Sequence, residues 1–197
     1  MSTARTATIE RKTGETDIAV TLTIDGSGQG EIGTGIPFFD HMLTLFARHS
    51  LVDLTVRARG DIEVDLHHTV EDAGIALGQA FARALGDKRG IRRYGWAYLP
   101  MDETLTRVVL DFSGRPYLEY RAPTGVEQIG GFSFQLVEEF LRAFAVHAGM
   151  NLHVEILYGR DAHHMAESVF KGLAKAVDQA CQKDARVTGI PSTKGIL

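Results

Sequence analysis

The chain carries a single cysteine in 197 residues, so no disulfide framework holds it together. That residue, Cys181, falls on the apolar side of a predicted helix and reads as a buried core thiol, not a nucleophile. No stretch approaches the ~20 apolar residues of a membrane span. The opening "MSTARTATIERKTGE" lacks the apolar core of a secretion signal. These absences predict a soluble cytoplasmic protein with no membrane partner. No basic tail or Lys/Arg cluster stands out and the formal net charge is −4, which argues against nucleic acid. Walker loops, GxGxxG fingerprints and nucleophile elbows are also missing. What is present is 44% hydrophobic residues, enough for one substantial core.

The chain repeats itself. "DHMLTLFARHSLVDLTVR" (40–57) aligns with "EEFLRAFAVHAGMNLHVE" (138–155) at a constant offset, and His67, His68 and Glu71 then fall on His163, His164 and Glu167. Upstream, "GET" (14–16) meets "DET" (102–104). Three blocks in one order mark a duplication. Alternating, β-branched runs such as "DIAVTLTID" and "TRVVLDFS" predict strands, with neighbours at "ATIER", "GEIGTG", "GWAYLPM" and "PYLEYRA". From Pro37 the apolar spacing turns helical through Phe38, Met42, Leu45 and Phe46; the equivalent helix carries Phe134, Val137, Leu141 and Phe144. A short strand follows in each half. Each His-His pair then opens a second helix, the first of which stops at Gly86.

The predicted fold is therefore α/β (α+β): two β-β-β-α-β-α units, residues about 1–90 and 91–197, in one domain with no linker. Each unit has one apolar face to hide. Packing helices on helices hides both, between two mostly antiparallel four-stranded sheets.

On a helix, residues i and i+4 share a face while i+1 points about 100° away. His67 and Glu71 should converge, with His68 apart; so should His163 and Glu167, with His164 apart. Imidazoles plus a carboxylate suit a first-row divalent metal. The duplication suggests an exchange, His67 and Glu71 with His164, and His163 and Glu167 with His68, making two metal sites. His41 and Glu139, at matching helix positions, could add one ligand to each. Such a mix suits six-coordinate Mn²⁺ better than Zn²⁺. His49 and His147 read as helix-end residues favoured by the dipole, and His153 as a neighbour of the ligands. Arg93, Arg115, Ser192 and Lys194 sit beside glycine or proline turns and together could hold a phosphate, although each alone reads as an ordinary surface residue.

"GIPFFDHML", "DLHHTVEDAGIALG", "RRYG", "SGRPYL", "DAHHMAESVFK" and "GIPSTKG" resemble the imidazoleglycerol-phosphate dehydratases of histidine biosynthesis, over nearly the whole chain. The resemblance implies a fold shared with ribosomal protein S5 domain 2 and a 24-subunit shell with di-manganese sites completed between subunits. It implies metal ligands at His41, His67, His68, Glu71, His163, His164 and Glu167. The eighth falls on Glu139, where many members have histidine. Substrate contacts fall on Glu15, Arg93, Arg115, Ser192 and Lys194. The implied reaction turns D-erythro-imidazole-glycerol phosphate into imidazole-acetol phosphate and water. Metal binding makes the ring N–H acidic; the ring expels hydroxide to a diazafulvene-like species, which loses a proton to an enol and so to the ketone. Glu15 is the expected acid or base, and its mate Glu103 is expected to be structural. Two rivals fit less well. A di-metal phosphoesterase would favour aspartates over imidazoles, and a metal-storage protein needs no phosphate grip.

Overall fold

The computed structural model describes residues 4–123, 125 and 128–197. The first half runs β1 (Thr6–Lys12), β2 (Thr16–Thr23), β3 (Gly30–Gly33), α1 (Pro37–Ser50), β4 (Asp53–Gly60) and α2 (His67–Leu85). The second runs β5 (Tyr94–Met101), β6 (Thr104–Asp111), β7 (Tyr117–Arg121), a small hairpin β8 (Gln128–Ile129) and β9 (Phe132–Ser133), α3 (Gln135–Ala148), β10 (Asn151–Tyr158) and α4 (Ala162–Cys181). Both four-stranded sheets share one plan. The orders are β1-β2-β4-β3 and β5-β6-β10-β7, each with two antiparallel pairings and one parallel edge. The predicted duplication and its sheet–helices–sheet layering are the architecture of the molecule. None of its helices is long and apolar enough to cross a membrane, among the described residues.

Alternation builds the sheets: in β2, Ile18, Val20 and Leu22 point inward while Asp17 and Thr21 point out. α2 lies under β1 and β2, and α4 under β5 and β6. Repeat-equivalent Phe46 and Phe144 meet with ring centroids 5.9 Å apart, and Phe81 and Phe140 pack around them. Contacts that advance in the same sense along neighbouring helices show that all four helices point the same way. Phe39 meets Phe140, His41 lies beside Glu167, and Gly74 and Gly78 of α2 lie against residues 140–148 of α3. One expectation shifts. On α1 the fully buried face is Phe39, Met42, Leu43, Phe46 and Ala47, whereas Phe38 and Leu45 are only partly covered. The helix is wedged between its sheet and α4, so its buried stripe is wider than the sequence spacing marks. The β8–β9 hairpin went unread, because two-residue strands carry no period.

Cys181 is buried, and burial pushes its thiol up to about 12, as befits a core residue. Gly78 keeps α2 and α3 close. A Cβ there would stand 2.7 Å from the Cβ of His147 and 2.9 Å from the backbone of Phe144 and Ala148. Overpacking costs about 1–3 kcal/mol, while alanine returns about 1 kcal/mol of helix propensity. Gly78→Ala should therefore lower stability by up to about 2 kcal/mol, read as a fall in the denaturant midpoint at unchanged slope.

Candidate metal centre

Each cassette is placed by an aspartate two residues ahead of it. Asp65 Oδ1 accepts the His67 N–H at 2.8 Å, and Asp161 Oδ1 accepts those of His163 and His164 at 2.8 and 3.1 Å. Asp161 is the N-cap of α4, whereas Asp65 acts one residue ahead of the α2 N-cap Leu66; both satisfy N–H groups that the first helical turn leaves free. The i, i+4 expectation holds in both copies: His163 Nε2 stands 3.1 Å from Glu167 Oε2, and His67 Nε2 stands 4.0 Å from Glu71 Oε2.

His41 joins the second cassette, with its Nε2 3.6 Å from the same Glu167 oxygen. Donor atoms of His41, His163 and Glu167 all lie within 4.8 Å of one another. Metal–oxygen bonds of ~2.0–2.6 Å put neighbouring donors of an octahedron ~2.8–3.7 Å apart, so the 3.1 and 3.6 Å separations fit a divalent ion. Lys171, one turn further along α4, takes the other Glu167 oxygen and leaves Oε2 to the imidazoles. Burial would raise the Glu167 carboxyl, but the Lys171 bond and charge and the His163 contact outweigh it and hold it below its usual value. Sequence reasoning gave Lys171 no role. Its only signal was its i+4 spacing from Glu167.

The first cassette meets its own partner. His67 and Glu139 line one cavity of about 380 Å³. The elements correspond, α4 with α1 and α2 with α3, but among the described residues only His41, His163 and Glu167 bring their donor atoms within 4.8 Å of one another. Glu71 and His67 stay half-open, while Glu167 is buried beneath Lys171. Within one chain the proposed exchange is not made. His68 and His164 face their own repeats. His68 Nδ1 is 3.1–3.2 Å from both oxygens of Asp61, and its Nε2 is 3.8 Å from Glu15. His164 Nδ1 is 2.8 Å from Glu103, and its Nε2 is 3.8 Å from Asp102. Helix geometry turns each second histidine away from its cassette.

These partners set protonation. The hydrogen bond to Asp61, with the charge of Glu15 behind it, raises His68; the bond to Glu103 raises His164. Glu103 is held far below the usual carboxylate range by the N–H of Asp161, by His164 and by the N–H of Arg160. Two expectations change. His49 and His147 do sit in the last turns of α1 and α3, but burial lowers both, helped by Lys171 and Lys175 on His49 and by Arg11 on His147. The shift disfavours the charge that the helix ends would welcome. His153 is exposed on the outer face of β10, against Tyr117, because its neighbours Leu152 and Val154 take the inner face. It stands away from the ligands.

The predicted phosphate residues gather at the opposite end of the helices. Arg93 donates its Nε and Nη2 to Asp111 at 2.6 and 2.9 Å, its Nη1 to the Pro191 carbonyl at 2.8 Å, and its backbone N–H to Ala180. Arg93 thus ties down the tail that carries Ser192 and Lys194. Arg115 is exposed on the β6–β7 loop, and the neighbouring Gly114 lies against Leu197. Ala180 follows His163 by 17 residues of α4, about 25 Å at ~1.5 Å per residue. No small substrate reaches from one end to the other within one chain.

The family model described as imidazoleglycerol-phosphate dehydratase matches residues 34–177. The imidazoleglycerol-phosphate dehydratase of Methylorubrum extorquens is 59% identical over 194 residues, covering 98% of this chain and all of that one. That of Akkermansia muciniphila is 60% identical over 195 residues, with the same coverage. Among solved structures, the Staphylococcus aureus enzyme superposes with a TM-score of 0.82 at 38% identity, over 91% of this chain and 99% of that one. The Pyrococcus furiosus enzyme gives 0.83 at 36%, over 96% and 100%. A duplicated fold, a doubled imidazole–carboxylate cassette and relatives matched from end to end converge on one answer: the chain belongs to the imidazoleglycerol-phosphate dehydratase family and is a hydro-lyase.

Proposed function

We propose that the chain dehydrates D-erythro-imidazole-glycerol phosphate to imidazole-acetol phosphate with two Mn²⁺ ions per active site, in a closed homo-oligomer, a 24-mer, whose sites are shared between chains. The observation that carries this reading is the trio His41, His163 and Glu167, whose donors are spaced for a divalent ion; in the other repeat His67 and Glu71 stand 4.0 Å apart and Glu139 lines the same cavity as His67. His68 and His164, turned away from these groups, are the ligands a neighbouring copy would receive. Bound ions supply Lewis acidity at the ring nitrogens of the substrate, which makes the ring N–H acidic. Glu15 moves a proton to or from the carbons beside the ring. Arg115, Ser192 and Lys194 grip the phosphate, with the remaining N–H groups of Arg93. The mostly imidazole donor set disfavours the phosphoesterase alternative.

The test is direct. Protein loaded with Mn²⁺ and given imidazole-glycerol phosphate should yield the ketone without free phosphate, and chelator-stripped protein should be silent. Release of inorganic phosphate instead would make the phosphoesterase the better reading. A pH effect accompanies it. Ions bind neutral imidazole, and the pKa values of His68 and His164 are raised. Proton competition therefore begins above the ordinary histidine value. Mn²⁺ affinity should fall as pH drops from 8 to 6, by about one log unit per pH unit for each proton displaced. Calorimetric titrations at several pH values read it, and a flat profile would exclude these histidines as ligands.

A further inference from the structure

We propose that Asp61 and Glu103 are positioning residues that fix the ring orientation and tautomer of His68 and His164, and that this division of labour is what leaves Glu15 free. The inference rests on the reading of His68 and His164 as metal ligands. By sequence, Glu15 and Glu103 are equivalent, and so are the histidines that they flank. By geometry they are not. Glu103 accepts His164 Nδ1 at 2.8 Å and the N–H groups of Arg160 and Asp161 at 3.1 and 2.9 Å. The carboxylate of Glu15 accepts no hydrogen bond among the described residues, and stands 3.8 Å from the Nε2 side of the ring. In the first repeat the Nδ1 side belongs to Asp61.

Two backbone differences cause the swap. The β5–β6 hairpin turns through Asp102 and Glu103 alone, with Met101 paired to Thr104. The β1–β2 hairpin is equally long, with Lys12 facing Asp17 and the Thr13 N–H donating to the Thr16 carbonyl. But Asp102 is left-handed at φ 47° while Gly14 in the equivalent place is not, and the differently shaped turn presents Glu15 to the other side of the ring. Second, Gly60 and Gly159 are spatial equivalents. An added Cβ on either would press on matching neighbours, Thr16 and Thr69 in one case and Thr104 and Met165 in the other. The residue after each is Asp61 in the first repeat but Arg160 in the second. Arginine cannot accept from an imidazole, so its backbone N–H holds Glu103 in place to do so. An ionised carboxylate only accepts. Each Nδ1 is therefore the protonated nitrogen, and each Nε2 keeps its lone pair for a ligand bond.

The test uses the full-length assembled protein and Mn²⁺ alone as the probe. Asp61→Asn and Glu103→Gln should each lower affinity at one class of site by about 10–100-fold, whereas Glu15→Gln should leave it unchanged. Nitrogen-15 shifts of metal-free protein should place the His68 proton on Nδ1, and Asp61→Asn should move population to Nε2, a change that a purely structural role would not produce. If His68→Ala loses the ion while Asp61→Asn binds normally and keeps its tautomer, the positioning role fails and the ligand reading stands. If His68→Ala binds like the parent protein, the ligand reading fails and the inference with it. A Glu15→Gln loss equal to that of Glu103→Gln would overturn the division between the repeats.

Discussion

Glu15→Gln is expected to lower kcat by about 10²–10⁴-fold, the usual worth of a positioned general acid or base, with little change in KM. The side chain is suited to that task by what it lacks. It is more than half exposed and bonded to nothing among the described residues, yet its backbone is fixed. The next residue, Thr16, donates to Asp72 in the first turns of α2, and Arg11 donates to the same carboxylate. The β1–β2 hairpin is thereby pinned to the helix that carries His67 and His68. Glutamine keeps the shape and removes only the ability to exchange a proton. Single-turnover measurements should show the loss in the chemical step, and near-normal turnover would remove Glu15 from the mechanism.

Mixing two crippled chains is expected to restore turnover. His163→Ala damages the donor end of the helices, and Lys194→Glu damages the anion-binding end. Each assembled alone should be nearly inactive at low substrate. In a random co-assembly, a site is intact when its donor end comes from the Lys194→Glu chain and its anion end from the His163→Ala chain. That arises in about one quarter of sites when two different copies build each site. Activity approaching a quarter of the parent value, against a mixture of the two separately assembled variants, is the expected result. Restoration no better than that control would mean that both ends serve one chain's own site, despite the roughly 25 Å set by ~1.5 Å per helical residue between His163 and Ala180.

The fold was legible because duplication doubles every signal. Period-two strands, the helix after Pro37, the His-His helices and the Gly86 stop all stand in the sequence as they stand in the structure. The cassettes were legible for a local reason, since i and i+4 converge on any helix. What the sequence hid was non-local. Asp61 reaches His68 across a loop, and Lys171 acquires meaning only once Glu167 is known to be buried. The alignment of Glu15 with Glu103 holds for the hairpins, which are equally long, but not for what the side chains touch, because Asp61 takes in the first repeat the Nδ1 side that Glu103 takes in the second. The sequence offers Arg93 as part of a phosphate grip but does not show that Asp111 and Pro191 occupy most of its donors. His153 carried no strand-face information until its neighbours in the sheet were fixed.

Four helices pointing the same way give each copy a front and a back that differ in chemistry. A catalytic centre built from the front of one copy and the back of another is a head-to-tail joint, and such joints either close on themselves or propagate as a filament. Which of the two occurs is set by the angle between the two surfaces on one copy, a property of the rigid bundle and not of the residues that do the chemistry.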